Sequence, residues 1–381
     1  MTRKVEEASL AIAAAVKLCR VQVCPMYPIT PSTHIPEKIS EYVADGELDA
    51  AMVDVESEHS AASAMLGAVA TGSRAFTATS SQGLALMYEI LPIISGMRFP
   101  GVMAVANRAL SAPISIWNDH SDAVSARDQG WVQLWVESSQ EALDSIIQGY
   151  KISEDRKVLM PLMVCFDGFT LSHVFEPVDI PEQKQVDRFL PKFSAVHKLD
   201  PKKPLTMGPI GFPNSFMHFK QQQQEAMLNA LEVIKKVNKN FKRAFGRSYG
   251  SGLLDLYKMD DADFAVVGMG TLCGTARVAI DRLRKQGKKV GLIRVRGLRP
   301  FPEQELQDAI KKLKAVAVID RHISLGQEGP LFTDVRSAVY CNDITINGYI
   351  AGLGGRDITV KHFERIFSDL EKGKQKGAWL F

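Results

Sequence analysis

The pentapeptide Tyr27-Pro28-Ile29-Thr30-Pro31 follows a short apolar run, Val21-Gln22-Val23-Cys24. Each proline lacks a backbone donor and pushes the residue before it out of the α region, so a strand that runs into this segment must stop. The result is a stiff loop at the carboxyl end of a strand, with the Thr30 hydroxyl held on it. Open α/β sheets bind their ligands at that edge. Prolines also punctuate ordinary loops, and three further groups at the same kind of edge strengthen the case. The first is Glu56-Ser57-Glu58-His59, which closes the run 50–55 and opens a helix of small residues over 60–72. A carboxylate in the first turn of a helix is favoured by the macrodipole without any function. A helix this rich in Ala, Gly and Ser packs closely on several sides, however, and a buried carboxylate needs a partner. The balance favours a functional Glu58. The second group, Thr79-Ser80-Ser81-Gln82-Gly83, ends the run 74–78, and its small polar residues suit a helix N-terminus that accepts an anion or polar ligand. The third is Arg108, which follows Asn107 at the end of 101–106. An arginine there is an exposed strand end, half of a salt bridge, or a planar fork that clamps a carboxylate. By itself the residue leaves all three readings open.

Other patterns carry less. Trp117-Asn118-Asp119-His120-Ser121-Asp122 holds metal-ligating types, but they crowd into one loop with no distant ligand implied. They read as turn formers, and no metal is assigned. Gly268-Met269-Gly270 with Gly274 follows a strand, yet Cys273 stands where the third glycine of a dinucleotide fingerprint belongs. The next strand ends in Arg294 and Arg296 where an acidic residue is needed, so the segment reads as a tight strand-to-helix turn. The cysteines (Cys19, Cys24, Cys165, Cys273, Cys341) are odd in number and scattered, which gives neither a disulfide framework nor an iron–sulfur or structural zinc site.

The elements that must position these groups alternate. Strands over 21–24, 50–55, 74–78 and 101–106 are separated by helices over 36–43, 60–72 and 84–94, the pattern of a doubly wound α/β domain. A buried first helix precedes them, with apolar residues at Val5, Leu10, Ala13, Val16 and Leu18. A loop over 111–128, a helix over 141–154 and a strand over 162–166 follow. Residues 178–213, rich in proline and charge, read as a connector, and 215–245 as a long helix with a solvated Gln221–224 face. A second α/β unit has strands over 264–267, 290–295 and 316–319, helices over 271–286 and 303–312, and two last helices over 330–340 and 362–370.

The 381 residues suffice for two domains, divided here as 1–250 and 251–381. A hydrophobic content of 46% with 23% charged residues is an ordinary globular mix, and a net charge of +3 is too small to argue for nucleic acid or a membrane surface, so neither is expected as a partner. No apolar run reaches the roughly 20 residues of a membrane span. Glu6 and Glu7 precede the apolar stretch 10–16, where a secretory signal carries basic residues, so the protein is expected in the cytoplasm.

Taken together, Tyr27-Pro-Ile-Thr-Pro-Ser-Thr33, Glu58 before its small-residue helix, Thr79-Ser-Ser-Gln-Gly83, and Ala106-Asn-Arg-Ala-Leu-Ser-Ala112 with Trp117-Asn-Asp-His-Ser-Asp122 resemble the alpha subunits of the 2-oxoacid:ferredoxin oxidoreductase family, of the pyruvate:ferredoxin type. Arg299-Pro-Phe-Pro302, Asp320-Arg321 and Gly352-Leu-Gly-Gly-Arg-Asp-Ile358 extend the resemblance to the tail. It implies a thiamine-diphosphate pyrimidine-binding domain followed by a transketolase-C-terminal-like domain. It implies oxidative decarboxylation of pyruvate, with coenzyme A as acyl acceptor and ferredoxin as electron acceptor. By the resemblance, Glu58 hydrogen-bonds the aminopyrimidine and favours the imino tautomer that creates the nucleophilic carbon. Pro28, Ile29, Ser81 and Gln82 join it in binding the cofactor, and Thr30 and Arg108 hold the 2-oxoacid carboxylate.

The family's diphosphate and magnesium site needs a Gly-Asp-Gly segment with a following asparagine. Phe166-Asp167-Gly168-Phe169 lacks the first glycine and the asparagine. With no cluster cysteines either, the chain holds half an active site. The resemblance therefore implies a beta subunit with the diphosphate and Mg2+ site, gamma and delta (ferredoxin-like) subunits with 4Fe–4S clusters, and ferredoxin. The Pro28–Pro31 segment has no cation for a dianionic substrate, so pyruvate is the first choice. 2-Oxobutyrate, branched or aryl oxoacids, a nucleotide-dependent dehydrogenase and a non-catalytic scaffold are the alternatives.

Overall fold

In the computed structural model, which describes residues 1–340 and 344–381, the chain folds into two α/β units that share part of one core. Cys341 lies outside the described residues; the other four cysteines are buried and free.

The first unit opens with β1 (Thr2–Glu6), α1 (Ala8–Leu18), β2 (Val23–Met26), α2 (His34–Ala44), β3 (Ala51–Asp54) and α3 (Glu58–Ala70). Strand β2 starts later than expected because the Val21 amide bonds back to Val16 and belongs to the turn leaving α1. Next come β4 (Phe76–Thr79), α4 (Ser81–Leu86), α5 (Leu91–Gly96) and β5 (Val102–Asn107). The apolar run 84–94, expected as one helix, is thus two. The chain turns between Met87 and Ile90, and Pro92 sits in the first turn of α5, where a missing N–H costs nothing. The unit continues with α6 (Ser121–Ser125), β6 (Val132–Trp135), α7 (Ser139–Ser153), β7 (Leu162–Asp167), β8 (Glu176–Ile180), α8 (Gln183–Phe189) and α9 (Pro213–Phe245). Strand β6 escapes a hydrophobicity reading because Gln133 sits in its middle; that side chain is buried and donates to the Ala123 carbonyl (2.8 Å). The presumed connector 178–213 contains the end of β8, which pairs antiparallel with β1, and α8, which carries a Glu182/Gln185 capping box. Helix α9 buries one stripe, Ala226 to Phe245, against α7 and α8, and its Gln221, Gln222 and Gln224 are exposed.

The second unit comprises β9 (Leu254–Tyr257), β10 (Phe264–Gly268), α10 (Leu272–Lys285), β11 (Val290–Val295), β12 (Gly297–Arg299), α11 (Glu303–Ile310), β13 (Ala315–Asp320), α12 (Pro330–Ala338), β14 (Thr345–Ala351), α13 (Val360–Glu371) and β15 (Trp379–Leu380). Its sheet runs β15-β14-β13-β10-β11-β9 and is parallel except for β9. Along β10, Val266 faces α10 and α13, while Ala265 and Val267 belong to the cluster that joins α11 and α12 to the first unit, so the period-2 alternation of a strand feeds two cores.

In the first unit the order is β12-β6-β7-β5-β4, continued to β2-β3 by a parallel bridge between Val23 and Ala75. Strand β12, from the second unit, pairs antiparallel with β6. Two buried ion clusters reinforce the seam. Arg294 and Arg296, both fully buried, reach Glu141 on α7 at 2.5 and 2.8 Å. Burial opposes their charge, but the Glu141 and Glu137 carboxylates raise the Arg294 pKa. The second cluster surrounds Asp167.

Candidate active site

Strand order reverses between β2 and β4, since β3 lies beyond β2 while β5 and β7 lie beyond β4. Carboxyl ends of strands at such a switch point form a crevice that nothing in the sheet fills. The segments singled out in the sequence leave this edge: the proline loop after β2, Glu58 after β3, residues 79–83 after β4, and Arg108 after β5.

Glu58 is the first residue of α3, entered through Ser57, whose side chain caps the Ser60 amide (3.2 Å). Only 7% of it is exposed, yet among the described residues no hydrogen bond or ion pair reaches its carboxylate. Thr79 and Ser80 are fully buried, and both hydroxyls lack a partner. Gly83 faces this group: a Cβ there would lie 2.7 Å from Glu58 Oε1 and would collide with Thr79 Oγ1. Glycine at 83 therefore lets α4 pack directly against Glu58 and Thr79, and the carboxylate, unpartnered among the described residues, is the group left for a polar ligand to satisfy.

Arg108 is 8% exposed, which rules out the exposed strand end. It is not in a salt bridge either: its guanidinium donates to the carbonyls of Thr30 (3.0 Å) and Ser115 (3.3 Å). The substrate pair expected from sequence is therefore in contact, with the Thr30 side chain exposed above a buried cation. A guanidinium that meets only neutral carbonyls keeps its charge for an anion. Pro28 is exposed and Ile29 half-buried beside them. Ser81 differs from expectation. Its amide donates to Asp122 Oδ2 (2.9 Å) and its hydroxyl to the Ala109 carbonyl or Gln82 Oε1 (both 2.6 Å), so its polar atoms bind this chain. Gln82 is exposed next to it.

The loop 117–122, read as turn formers, is buried from Asn118 to His120 and again at Asp122. His120 Nε2 lies 2.8 Å from Asp167 Oδ1, and Arg321 Nη1 lies 3.0 Å from Oδ2, which also accepts the Thr271 amide (2.9 Å) and hydroxyl. Burial alone would push the Asp167 carboxyl up, but Arg321 and His120 hold it well below the usual carboxylate range. Asp167 is thus a bolt between the units, and the Gly268–Gly270 turn brings Thr271 to it. The tail motif closes on the same loop. The Gly355 amide donates to the Asn118 carbonyl (2.6 Å), and its φ of +81° with Trp117 Cβ against it leaves no room for a side chain. Both ends of the Asn118 amide are buried without partners among the described residues, a feature no local pattern announces. Beside the proline loop, Glu7 Oε1 and His34 Nδ1 are 2.5 Å apart and tie the starts of α1 and α2 together.

Two family models cover most of the chain. The model for pyruvate flavodoxin/ferredoxin oxidoreductase, thiamine-diphosphate-binding, matches residues 14–239, and that for pyruvate:ferredoxin oxidoreductase core domain II matches 262–363. The chain is 51% identical over 380 residues to pyruvate synthase subunit PorA of Methanocaldococcus jannaschii, covering 99% of this chain and 97% of that one. The chain belongs to the pyruvate:ferredoxin oxidoreductase family. Another member, ketoisovalerate oxidoreductase subunit VorA of Pyrococcus horikoshii, is 44% identical over 98% of this chain and 95% of its own length. The family fold is seen in a solved 2-oxoglutarate:ferredoxin oxidoreductase from Magnetococcus marinus, which matches with a TM-score of 0.73 and 18% identity over 97% of this chain. The chain spans 65% of that protein's length. Membership supports the expected class, an oxidoreductase of two α/β units whose first is a thiamine-diphosphate-binding domain.

Proposed function

We propose that this chain is the alpha subunit of a pyruvate:ferredoxin oxidoreductase and supplies the aminopyrimidine half and the substrate cation of a shared active site. The observation that carries the reading is the buried Glu58 carboxylate, unpartnered among the described residues and packed beside the Thr79 hydroxyl against Gly83 at the strand switch point. These residues fit thiamine diphosphate: a carboxylate accepts a proton-bearing ring nitrogen, and hydroxyls answer polar ring substituents. When bound, the cofactor supplies the carbanion that attacks a 2-oxo carbon and stabilises charge after carbon dioxide leaves.

The chain's own residues do the rest. Glu58 holds a proton at the ring nitrogen and so sets the tautomer of the group that takes the proton from the reacting carbon. Arg108, buried and stripped of competing anions, receives the oxoacid carboxylate, and the exposed Thr30 hydroxyl hydrogen-bonds it. Pro28, Ile29 and Gln82 line the cofactor's approach, and Ser81 shapes it through its main chain. Asp167 is committed to Arg321, His120 and Thr271 and has no free oxygen for a metal–diphosphate, so that end belongs to a beta subunit. Mg2+ lies there, 4Fe–4S clusters lie in gamma and delta subunits, and coenzyme A and ferredoxin complete the reaction in the cytoplasm. The branched-oxoacid reading keeps a specific support in the 44% identical ketoisovalerate enzyme subunit.

The test is an inventory of the complex purified without oxygen: thiamine diphosphate, magnesium, iron, the mass of each chain, and coenzyme A-dependent ferredoxin reduction with pyruvate against 2-oxoisovalerate. Thiamine and iron that co-purify only with partner chains, and faster turnover of pyruvate, support the proposal. A homo-oligomer without thiamine overturns it.

A further inference from the structure

Asp122 is a buried carboxylate that the proposed chemistry does not use, and its hydrogen bonds connect the parts that the chemistry does use. Oδ2 accepts two main-chain amides, that of Ser81 at the start of α4 (2.9 Å) and that of Arg108 at the end of β5 (3.0 Å). Oδ1 accepts Asn107 Nδ2 (2.8 Å) and the Ala123 amide (2.7 Å). All four bonds reach one fully desolvated group. Burial pushes the carboxyl up to about 6, against the four donors that favour its charge.

The two oxygens have different duties. Oδ1 fastens α6 to the side chain of Asn107. Oδ2 joins the turn after β4 to the turn after β5 across the strand boundary, and among the described residues no other side chain bonds the Arg108 amide. The Arg108 side chain then has two neutral contacts, Thr30 and Ser115, which guide the guanidinium but hold it weakly. Its place is therefore set from the main-chain end. We propose that Asp122 is a positioning residue for the oxoacid site: by locking the amide of Arg108 to that of Ser81 through one oxygen, it fixes the cation that receives the substrate carboxylate and couples it to the cofactor side of the crevice. This deepens the assignment of Arg108 to the substrate and rests on it.

Asparagine at 122 tests the claim because it offers one carbonyl oxygen where aspartate offers two acceptors. Whichever way the amide turns, an NH2 group faces a pair of donors. The assembled complex is assayed as wild type, Asp122→Asn, Arg108→Gln, the double variant and Asn107→Ala, with thiamine content and thermal unfolding recorded for each. Asp122→Asn is expected to raise KM for pyruvate about 10- to 100-fold with kcat within threefold. In the Arg108→Gln background it should add little, because the residue it positions is gone. Asn107→Ala removes a buried bond but leaves Oδ2 in place, so it should lower thermal stability without raising KM. If Asp122→Asn does not assemble, Asp122→Glu is read by the same KM criterion. An unchanged KM in Asp122→Asn while Arg108→Gln raises it, full additivity in the double variant, or an equal KM rise in Asn107→Ala overturns the inference. An unchanged KM in Arg108→Gln instead overturns the substrate role of Arg108 itself.

Discussion

Glu58 and Asp167 are both buried carboxylates at the carboxyl edge of the first sheet, and they have opposite surroundings. Asp167 is closed: an arginine, a histidine and both donors of Thr271 fill its acceptor sites and depress its pKa. Glu58 is unsaturated: among the described residues no donor reaches its carboxylate, though α4 packs against it at Gly83. A saturated buried carboxylate holds the fold together, because the cost of removing it from water has already been offset inside the chain. An unsaturated one leaves that cost to a ligand. On the proposed reading, the contrast separates a structural carboxylate from a functional one of the same chemical type.

The widest way to break the contrast is Glu58→Gln. Turnover of the complex should fall about a thousandfold, the scale of a lost proton-transfer partner, while unfolding of the chain stays unchanged or rises slightly because no paired charge is lost. Near-native turnover would place Glu58 with the structural carboxylates. The mirror experiment is Asp167→Asn, which strands Arg321 without its anion. Urea unfolding should show a loss of about 3–5 kcal/mol, and a loss under 1 kcal/mol would mean that the bolt bears no strain. Smaller still is Gly83→Ala. The added methyl meets Glu58 Oε1 at 2.7 Å, so overpacking of about 1–3 kcal/mol should weaken thiamine diphosphate binding roughly 10- to 100-fold by titration, and full affinity would show that the cofactor site lies elsewhere. The smallest signal is in pH. The folded carboxyl of Asp167 lies below its unfolded value of about 3.9, so its contribution is complete above that value and is lost as pH falls through the folded-state pKa. Acid unfolding of the wild type below about pH 4 should be steeper than that of Asp167→Asn, and identical slopes would contradict the ion pairing.

These two residues also mark how far the sequence could be read. Glu58 was legible because its signal is local: a run of small residues announces a close-packed helix, and a carboxylate at its start stands out. The strands that carry the site follow from the same short-range alternation. Asp167 was not legible, because Arg321 lies 154 positions away and no spacing rule links them. Arg294 and Arg296 likewise meet Glu141 only after both units have folded. The loop 117–122 misled for a compositional reason, since a buried polar network and an exposed turn draw on the same residues. Strands β1, β6, β8, β9, β12, β14 and β15 were missed for want of a clean apolar run, and Val5, assigned to the buried first helix, lies exposed on β1. Most of them lie toward sheet margins, where side chains answer to neighbours that the sequence does not name.

Strand β12 bears on how such a protein can be divided. It belongs by sequence to the second unit but covers the outer backbone of β6 in the first. A chain cut near residue 250 would leave β6 as a bare sheet margin beside an uncovered apolar face, the template on which strands of neighbouring molecules assemble. The two units are therefore joined by a strand as well as by a chain. The same reasoning applies at the other end of the chain, where β15 covers the backbone of β14, so a cut after α13 would also bare a strand.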